Sequence, residues 1–175
     1  MKKVFLLVVA MVMASFACQN TQAQTRISKE HVVDLGIHYG YGPAPLCNMG
    51  GLNVDFNLKS NNLRFRVDLD ALQRPVSGKP ACLGLSVNAQ YLFPMAKDDA
   101  DGFYFYPSIG FGYEMNKGLS NWNKKGNYGI GFNAGLGFEY QLNDRWGIFV
   151  EGDYQVRFKN AAHRPCFRIG FNVSL

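Results

Sequence analysis

Residues 128–142 read YGIGFNAGLGFEYQL. Tyr128, Ile130, Phe132, Ala134, Leu136, Phe138, Tyr140 and Leu142 share one side of a two-residue period, while Gly129, Gly131, Asn133, Gly135, Gly137 and Glu139 occupy the other. Alternation sustained over this length predicts a β-strand, because successive side chains of an extended chain point to opposite faces. One face is bulky and apolar; the other is mostly glycine. Which of the two lies inside decides the fold.

The same period recurs in seven further stretches. The first sets Val33, Leu35, Ile37, Tyr39 and Tyr41 against Asp34, Gly36, His38 and Gly40. The second sets Leu52, Val54, Phe56 and Leu58 against Asn53, Asp55 and Asn57, and the third Leu63, Phe65, Val67 and Leu69 against Arg64, Arg66, Asp68 and Asp70. The fourth runs from Leu83 to Phe93 with Gly84, Ser86, Asn88 and Gln90 opposed. The fifth places Phe103, Phe105, Ile109, Phe111 and Tyr113 opposite Tyr104, Tyr106, Ser108, Gly110 and Gly112. After the 128–142 stretch come Trp146 to Phe158, with Glu151, Asp153, Gln155 and Arg157 on the polar side, and Phe167 to Leu175, alternating with Arg168, Gly170, Asn172 and Ser174.

Tight turns are expected at Ser60-Asn61-Asn62 and Asn143-Asp144-Arg145, with a somewhat longer one at 94–101. Bulkier connections are expected at 42–50, 73–81, 114–127 and 159–165, so short turns collect at one rim and long loops at the other. Volume then orients the faces. The apolar side collects roughly forty bulky residues, whereas eight strands enclose space only for filling side chains. A closed barrel must therefore turn its apolar face outward, which only lipid tolerates. Aromatic residues bracket the aliphatic band: Tyr39, Tyr41, Tyr113, Tyr128, Phe158 and Phe167 near the long-loop rim, and Tyr91, Phe93, Phe103, Tyr140 and Trp146 near the short-turn rim. Two such belts match two membrane–water interfaces, which a soluble β-sandwich does not explain.

The N-terminus agrees. MKK precedes VFLLVVAMVMASF, an apolar run suited to a signal peptide and short for a bilayer span. Cleavage is expected after Ala23, giving a signal peptide at 1–23, a short periplasmic segment at 24–31 and a barrel domain at 32–175. Cleavage after Ala17 and lipidation of Cys18 are the competitors, although Ser15 stands where lipoprotein signals carry an aliphatic residue. The formal charge of +5 falls to +3 without Lys2 and Lys3, and no Lys/Arg run supports nucleic-acid binding.

With these residues in place, the chain from Val32 to Leu175 resembles the small outer-membrane β-barrel proteins, of the OmpA/OmpX-like and porin-like outer membrane protein β-barrel domain type. The resemblance rests on the architecture, on WGIFVEGDYQVRF and on the terminal RIGFNVSL. It implies an eight-stranded antiparallel transmembrane up-and-down β-barrel in the outer membrane of a Gram-negative bacterium. Outer-membrane lipid and the barrel-assembly machinery are the implied partners, and any surface ligand is left unnamed. Family assembly signals place a polar residue, a glycine and two apolar residues where Arg168, Gly170, Val173 and Leu175 stand, with Leu175 replacing the common terminal Phe.

The inward face gathers Arg64, Arg66, Asp68, Asp70, Glu139, Glu151, Asp153, Arg157 and Arg168. Buried charges need partners, so these are expected to form a salt-bridged plug rather than a solute path. The expected role is accordingly a structural or interaction scaffold. The alternatives are a narrow porin-like channel and a lipid-modifying enzyme. For catalysis, His38 is the inward histidine, with Asp34 and Ser86 as candidate neighbours; the His-x-Ser-Asn motif of the barrel deacylases is absent. No Cys/His spacing suits a metal, and neither a cofactor nor a catalytic residue is expected. Cys47, Cys82 and Cys166 map to the long-loop side, where Cys47–Cys82 and Cys47–Cys166 are the candidate disulfides.

Overall fold

The computed structural model describes residues 32–43, 46–58, 62–73, 80–95, 102–116, 128–158 and 162–175. Each alternating stretch forms a strand: β1 (Val33–Pro43), β2 (Leu46–Asn57), β3 (Leu63–Gln73), β4 (Pro80–Tyr91), β5 (Phe103–Asn116), β6 (Tyr128–Gln141), β7 (Trp146–Arg157) and β8 (Ala162–Ser174). A two-residue strand, Phe93–Pro94, continues past β4 and pairs with Phe105 and Tyr104. Every strand runs antiparallel to its sequence neighbours. The sheet closes because β1 also pairs with β8, Ile37 opposite Phe171, and β4 pairs with β5, Val87 opposite Phe111.

Two expected loops are shorter than the composition suggests. Pairing of β1 with β2 continues through Gly42–Cys47 to Pro43–Leu46, so Gly42 and Gly50 lie in strands rather than in a connection at 42–50. The ladder of β7 and β8 likewise continues through Tyr154–Pro165 to Arg157–Ala162, where a loop at 159–165 is expected. Cross-strand hydrogen bonding holds these glycine- and proline-bearing segments extended despite their loop-like composition. Glu114 similarly lies within β5 and not in a loop.

The protein is inside out. Among the described residues the buried positions are mainly polar or charged, Arg64, Arg66, Asp55 and Asp68 being 0% exposed, whereas Ile37, Phe111, Ile130, Phe167 and Ile169 are more than half exposed. The inward-facing apolar exceptions include Met49, Tyr104, Tyr106 and Phe149. Phe103, Phe105 and Phe138 stack on the outer surface toward the short-turn rim, with ring centroids 5.4–5.9 Å apart. No helix among the described residues is long and apolar enough to cross a membrane.

The chain's C-terminus is tied down at the short-turn rim. Leu175 N donates to the Val33 carbonyl at 3.0 Å and Ser174 N to the Arg145 carbonyl at 2.8 Å. The apolar C-terminus is thus part of the closing seam. At the β6–β7 turn the Asn143 side-chain oxygen accepts hydrogen bonds from the Arg145 and Trp146 amides, both 2.9 Å, which is the local chemistry that lets asparagine make a tight turn. The signal-peptide and 24–31 expectations lie outside the described residues.

Candidate functional site in the charged lumen

The period of two sends Arg64, Arg66, Asp68 and Asp70 of β3 into the bore. Register then selects their partners. Asp55 of β2 lies directly opposite Arg66, and the two form a bidentate pair, Nε to Oδ1 and Nη2 to Oδ2, each 2.7 Å. A planar guanidinium fork matches a carboxylate in this way, giving geometric definition as well as charge pairing. Asp55 also accepts from Asn53 and Asn172, both at 3.3 Å, so this buried carboxylate is surrounded by donors.

From this pair the network crosses the lumen. Arg64 donates through Nε to Gln90 at 2.7 Å and through Nη1 to Glu139 on β6. Arg66 Nη1 reaches Glu151 on β7 at 3.2 Å, where the Tyr106 hydroxyl also donates at 3.0 Å. Arg168 of β8 donates to Glu151 at 2.5 Å and Asp153 at 3.1 Å, and lies 3.4 Å from Asp68. Asp68 in turn accepts from Ser86 at 3.1 Å and Asn88 at 2.9 Å. Aromatic faces fill the remaining gaps: Arg66 lies 4.3 Å from the Phe149 ring centroid, and Arg64 lies 5.0 Å from that of Tyr106. Arg64 and Arg66 are therefore both paired and stacked.

A second cluster lies toward the long-loop mouth. Glu114 receives Arg164 at 3.2 Å and lies 3.4 Å from Arg157. Arg157 donates to Asn133 at 2.9 Å and Gln155 at 3.0 Å, and Arg164 also donates to Gln155. The glycine wall makes room for these groups. A Cβ on Gly137 would lie 2.3 Å from the Tyr106 ring, and one on Gly112 2.9 Å from the Arg157 guanidinium.

All nine charges expected in the lumen face it. Arg64, Arg66, Asp68, Glu139, Glu151, Asp153 and Arg168 form the central network; Arg157 belongs to the mouth cluster. Asp70 pairs instead with His38, Nε2 to Oδ1 2.6 Å. The suggested neighbours of His38 are elsewhere engaged: Asp34 accepts from Asn57 at 2.8 Å, and Ser86 bonds Asp68. No hydroxyl or thiol hydrogen-bonds to His38 among the described residues, and no described group of three His, Cys, Asp or Glu side chains suits a metal.

In the terminal segment, Arg168 points into the network and Gly170 admits the Phe149 ring, which lies 2.6 Å from where a Cβ would stand. Val173 pairs with Leu35 on one side and Trp146 on the other, while Leu175 anchors to Val33. Cys47 lies on β2 and Cys82 on β4, with β3 between them; their side chains lie outside the described residues. Cys166 is buried on β8 opposite Asp153.

Four contributors were absent from the expected charge set or its packing. Asp55 was visible on the inward face of β2, yet its central place depends on register. Glu114 and Arg164 fall in segments, 114–127 and 159–165, whose composition suggests loops. Phe149 breaks the apolar-out pattern, and its alternation with Glu151 was the available signal.

Comparison with known proteins places this geometry. The family profile described as outer membrane protein beta-barrel domain matches residues 4–163. No curated protein matches the sequence. Among solved structures, the N-terminal β-barrel domain of Pseudomonas aeruginosa OprF superimposes with a TM-score of 0.60 at 15% identity, covering 80% of this chain and 96% of that one. Neisserial surface protein A gives 0.62 at 13% identity, covering 82% and 96%. Yersinia pestis Ail, in complex with the heparin analogue sucrose octasulfate, gives 0.51 at 11% identity, covering 82% and 96%. At these identities the likeness concerns the fold.

Proposed function

The chain belongs to the outer membrane protein β-barrel domain family, and from that premise we propose that it is a plugged membrane scaffold of the Gram-negative outer membrane, presenting a basic rim to anionic partners. The observation that carries the plugged reading is the cross-lumen network. Arg64, Arg66 and Arg168 fill the bore and tie β3 and β8 to carboxylates on β2, β6 and β7. A solute would have to break buried ion pairs to pass, and doing so leaves uncompensated charge at membrane depth.

The rim reading follows from topology and composition together. The connections after β1, β3, β5 and β7 share one rim; their sequences contain Arg74, Lys79, Lys117, Lys124, Lys125 and Lys159 and no carboxylate. Connections at the other rim contain Lys59, Lys97 and Arg145 against Asp98, Asp99, Asp101 and Asp144. Such one-sided charge attracts polyanions over about a Debye length, ~8 Å at physiological salt. Ail carries a sulfated sugar in its complex, and the same ligand chemistry suits a rim of six cations.

Two measurements test the reading. Purified protein in planar bilayers should give no sustained conductance, and stable single-channel steps would replace the plugged scaffold with a narrow channel. Binding to a sulfated glycan should weaken steeply with salt and exceed binding to its desulfated form; equal, salt-insensitive binding would remove the anionic partner.

A further inference from the structure

The outer surface is not uniformly convex. Gly152 is an outward-facing glycine midway along β7, directly opposite Phe167 of β8 and Leu136 of β6. Phe167 in turn pairs with Tyr41 of β1. Gly152 lies in a groove of about 470 Å³ whose apolar walls include Leu136, Val150, Phe167, Ile169 and the Tyr41 ring. A Cβ at Gly152 would meet only the Phe167 ring, at 3.5 and 3.6 Å, so the space is open rather than enforced by backbone crowding.

We propose that this groove holds one acyl chain of a lipid from the leaflet on the long-loop side. The groove is continuous with the apolar belt of a family that resides in the outer membrane, so hydrocarbon is what borders it. Leu136, Phe138, Val150, Phe167 and Ile169 offer water no hydrogen bond, and the charged side chains beside them, Glu151 and Arg168, are buried toward the lumen. Hydrophobic transfer favours no site over another within lipid, because the surrounding tails are as apolar as leucine. Packing does discriminate. A chain in the groove touches side chains on several sides, whereas a chain on the flanking convex surface touches fewer, and dispersion contacts accumulate with each atom met. Tyr39 and Tyr41 line the side of the groove formed by β1, and amphipathic rings favour the headgroup region, so the leaflet on their side, toward the long loops, is the one assigned. A second copy of the barrel is the poorer occupant: a specific protein interface buries about 1,200–2,000 Å², far more surface than a one-residue notch offers.

The protein is reconstituted in phosphatidylcholine vesicles doped with phosphatidylcholine carrying a diazirine midway along one acyl chain, then irradiated and mapped by peptide mass spectrometry. Adducts should concentrate on Val150, Phe167 and Ile169 several-fold above the outward residues of β4, such as Leu85 and Val87. Gly152→Leu, which fills the notch, should reduce that labelling to the β4 level, while Ala89→Leu on the far wall leaves it unchanged. Folding of each variant is checked by its heat-dependent gel mobility, and the wild-type labelling map is decisive even if Gly152→Leu does not fold. Even labelling around the barrel, persistence of the focus in a folded Gly152→Leu, or loss of the focus when the protein-to-lipid ratio is raised, as a second copy covering this face would cause, would each overturn the proposal. None of these outcomes depends on conductance or glycan binding.

Discussion

The walls formed by β3 and β6 solve one problem in opposite ways. On β3 the inward positions hold Arg64, Arg66, Asp68 and Asp70; on β6 they include Gly129, Gly131, Gly135 and Gly137. A narrow barrel cannot accommodate long side chains from every strand. Here β3 projects across the bore and β6 withdraws, leaving Asn133 and Glu139 as its polar contacts. Arg64 reaches Glu139 because the glycine wall leaves the space, and Tyr106 lies in the recess over Gly137. Charge on one wall and absence on the other are therefore a single packing arrangement. It also braces the barrel between strands that are not neighbours: β3 to β6, β3 to β7 and β8 to β3.

The largest effect is expected from the projecting wall. Arg66→Ala strips Asp55 of its bidentate partner and Glu151 of one cation. Breaking a buried pair from one side costs about 3–5 kcal/mol, and urea unfolding from lipid vesicles should record it. An unchanged midpoint would mean the bore is hydrated enough to replace the guanidinium.

Next comes the reverse face of the withdrawn wall. Leu136→Arg, near the middle of β6, should cost about 2–4 kcal/mol, while Ile130→Arg, nearer the rim, should cost about 0–1 kcal/mol. Equal costs at both depths, measured in the same unfolding assay, would contradict the assigned membrane position. A smaller effect is expected from filling the recess: Gly137→Ala overpacks against Tyr106 and should cost about 1–3 kcal/mol. Gly129→Ala, whose Cβ would meet the nearest atom at 3.7 Å, should be tolerated. If a Tyr106→Leu background leaves the Gly137→Ala penalty undiminished, the Tyr106 ring is not what the glycine recess accommodates.

A small effect should also come from removing both halves of the central pair. Asp55→Leu combined with Arg66→Met replaces ions with apolar groups of related volume, and should cost far less than Arg66→Ala alone. Glu151 retains Arg168 and the Tyr106 hydroxyl in that variant. A penalty as large as that of the single substitution would assign the stabilisation to cross-lumen contacts rather than to the Asp55–Arg66 fork.

Much of this was legible in the chain. Strand period is local, so Tyr128–Leu142 declares its two faces without reference to any other segment. The bulk of the apolar face against the small volume of an eight-stranded bore then turns the barrel inside out. The lumen charges were likewise readable, since inward placement needs only the parity of each residue within its strand. Strand ends were less so: glycine and proline at 42–50 and 159–165 suggest loops, and only the partner strand's hydrogen bonds reveal that the ladder continues.

Partner choice could not be read from the same pattern. Parity puts Asp34, His38 and Ser86 on the inner face, but not beside one another; His38 finds Asp70 on a strand two places away, and Ser86 finds Asp68. Asp55 is an ordinary inward aspartate until register sets it against Arg66, and Gly152 is an ordinary outward glycine until Phe167, Leu136 and Tyr41 surround it. The amino-acid sequence by itself determined the strands, their faces and the apolar exterior, because these follow from a two-residue period and from volume. Only the closed tertiary structure decided which charges meet and where the outer surface is notched, because register and closure are set collectively by all eight strands.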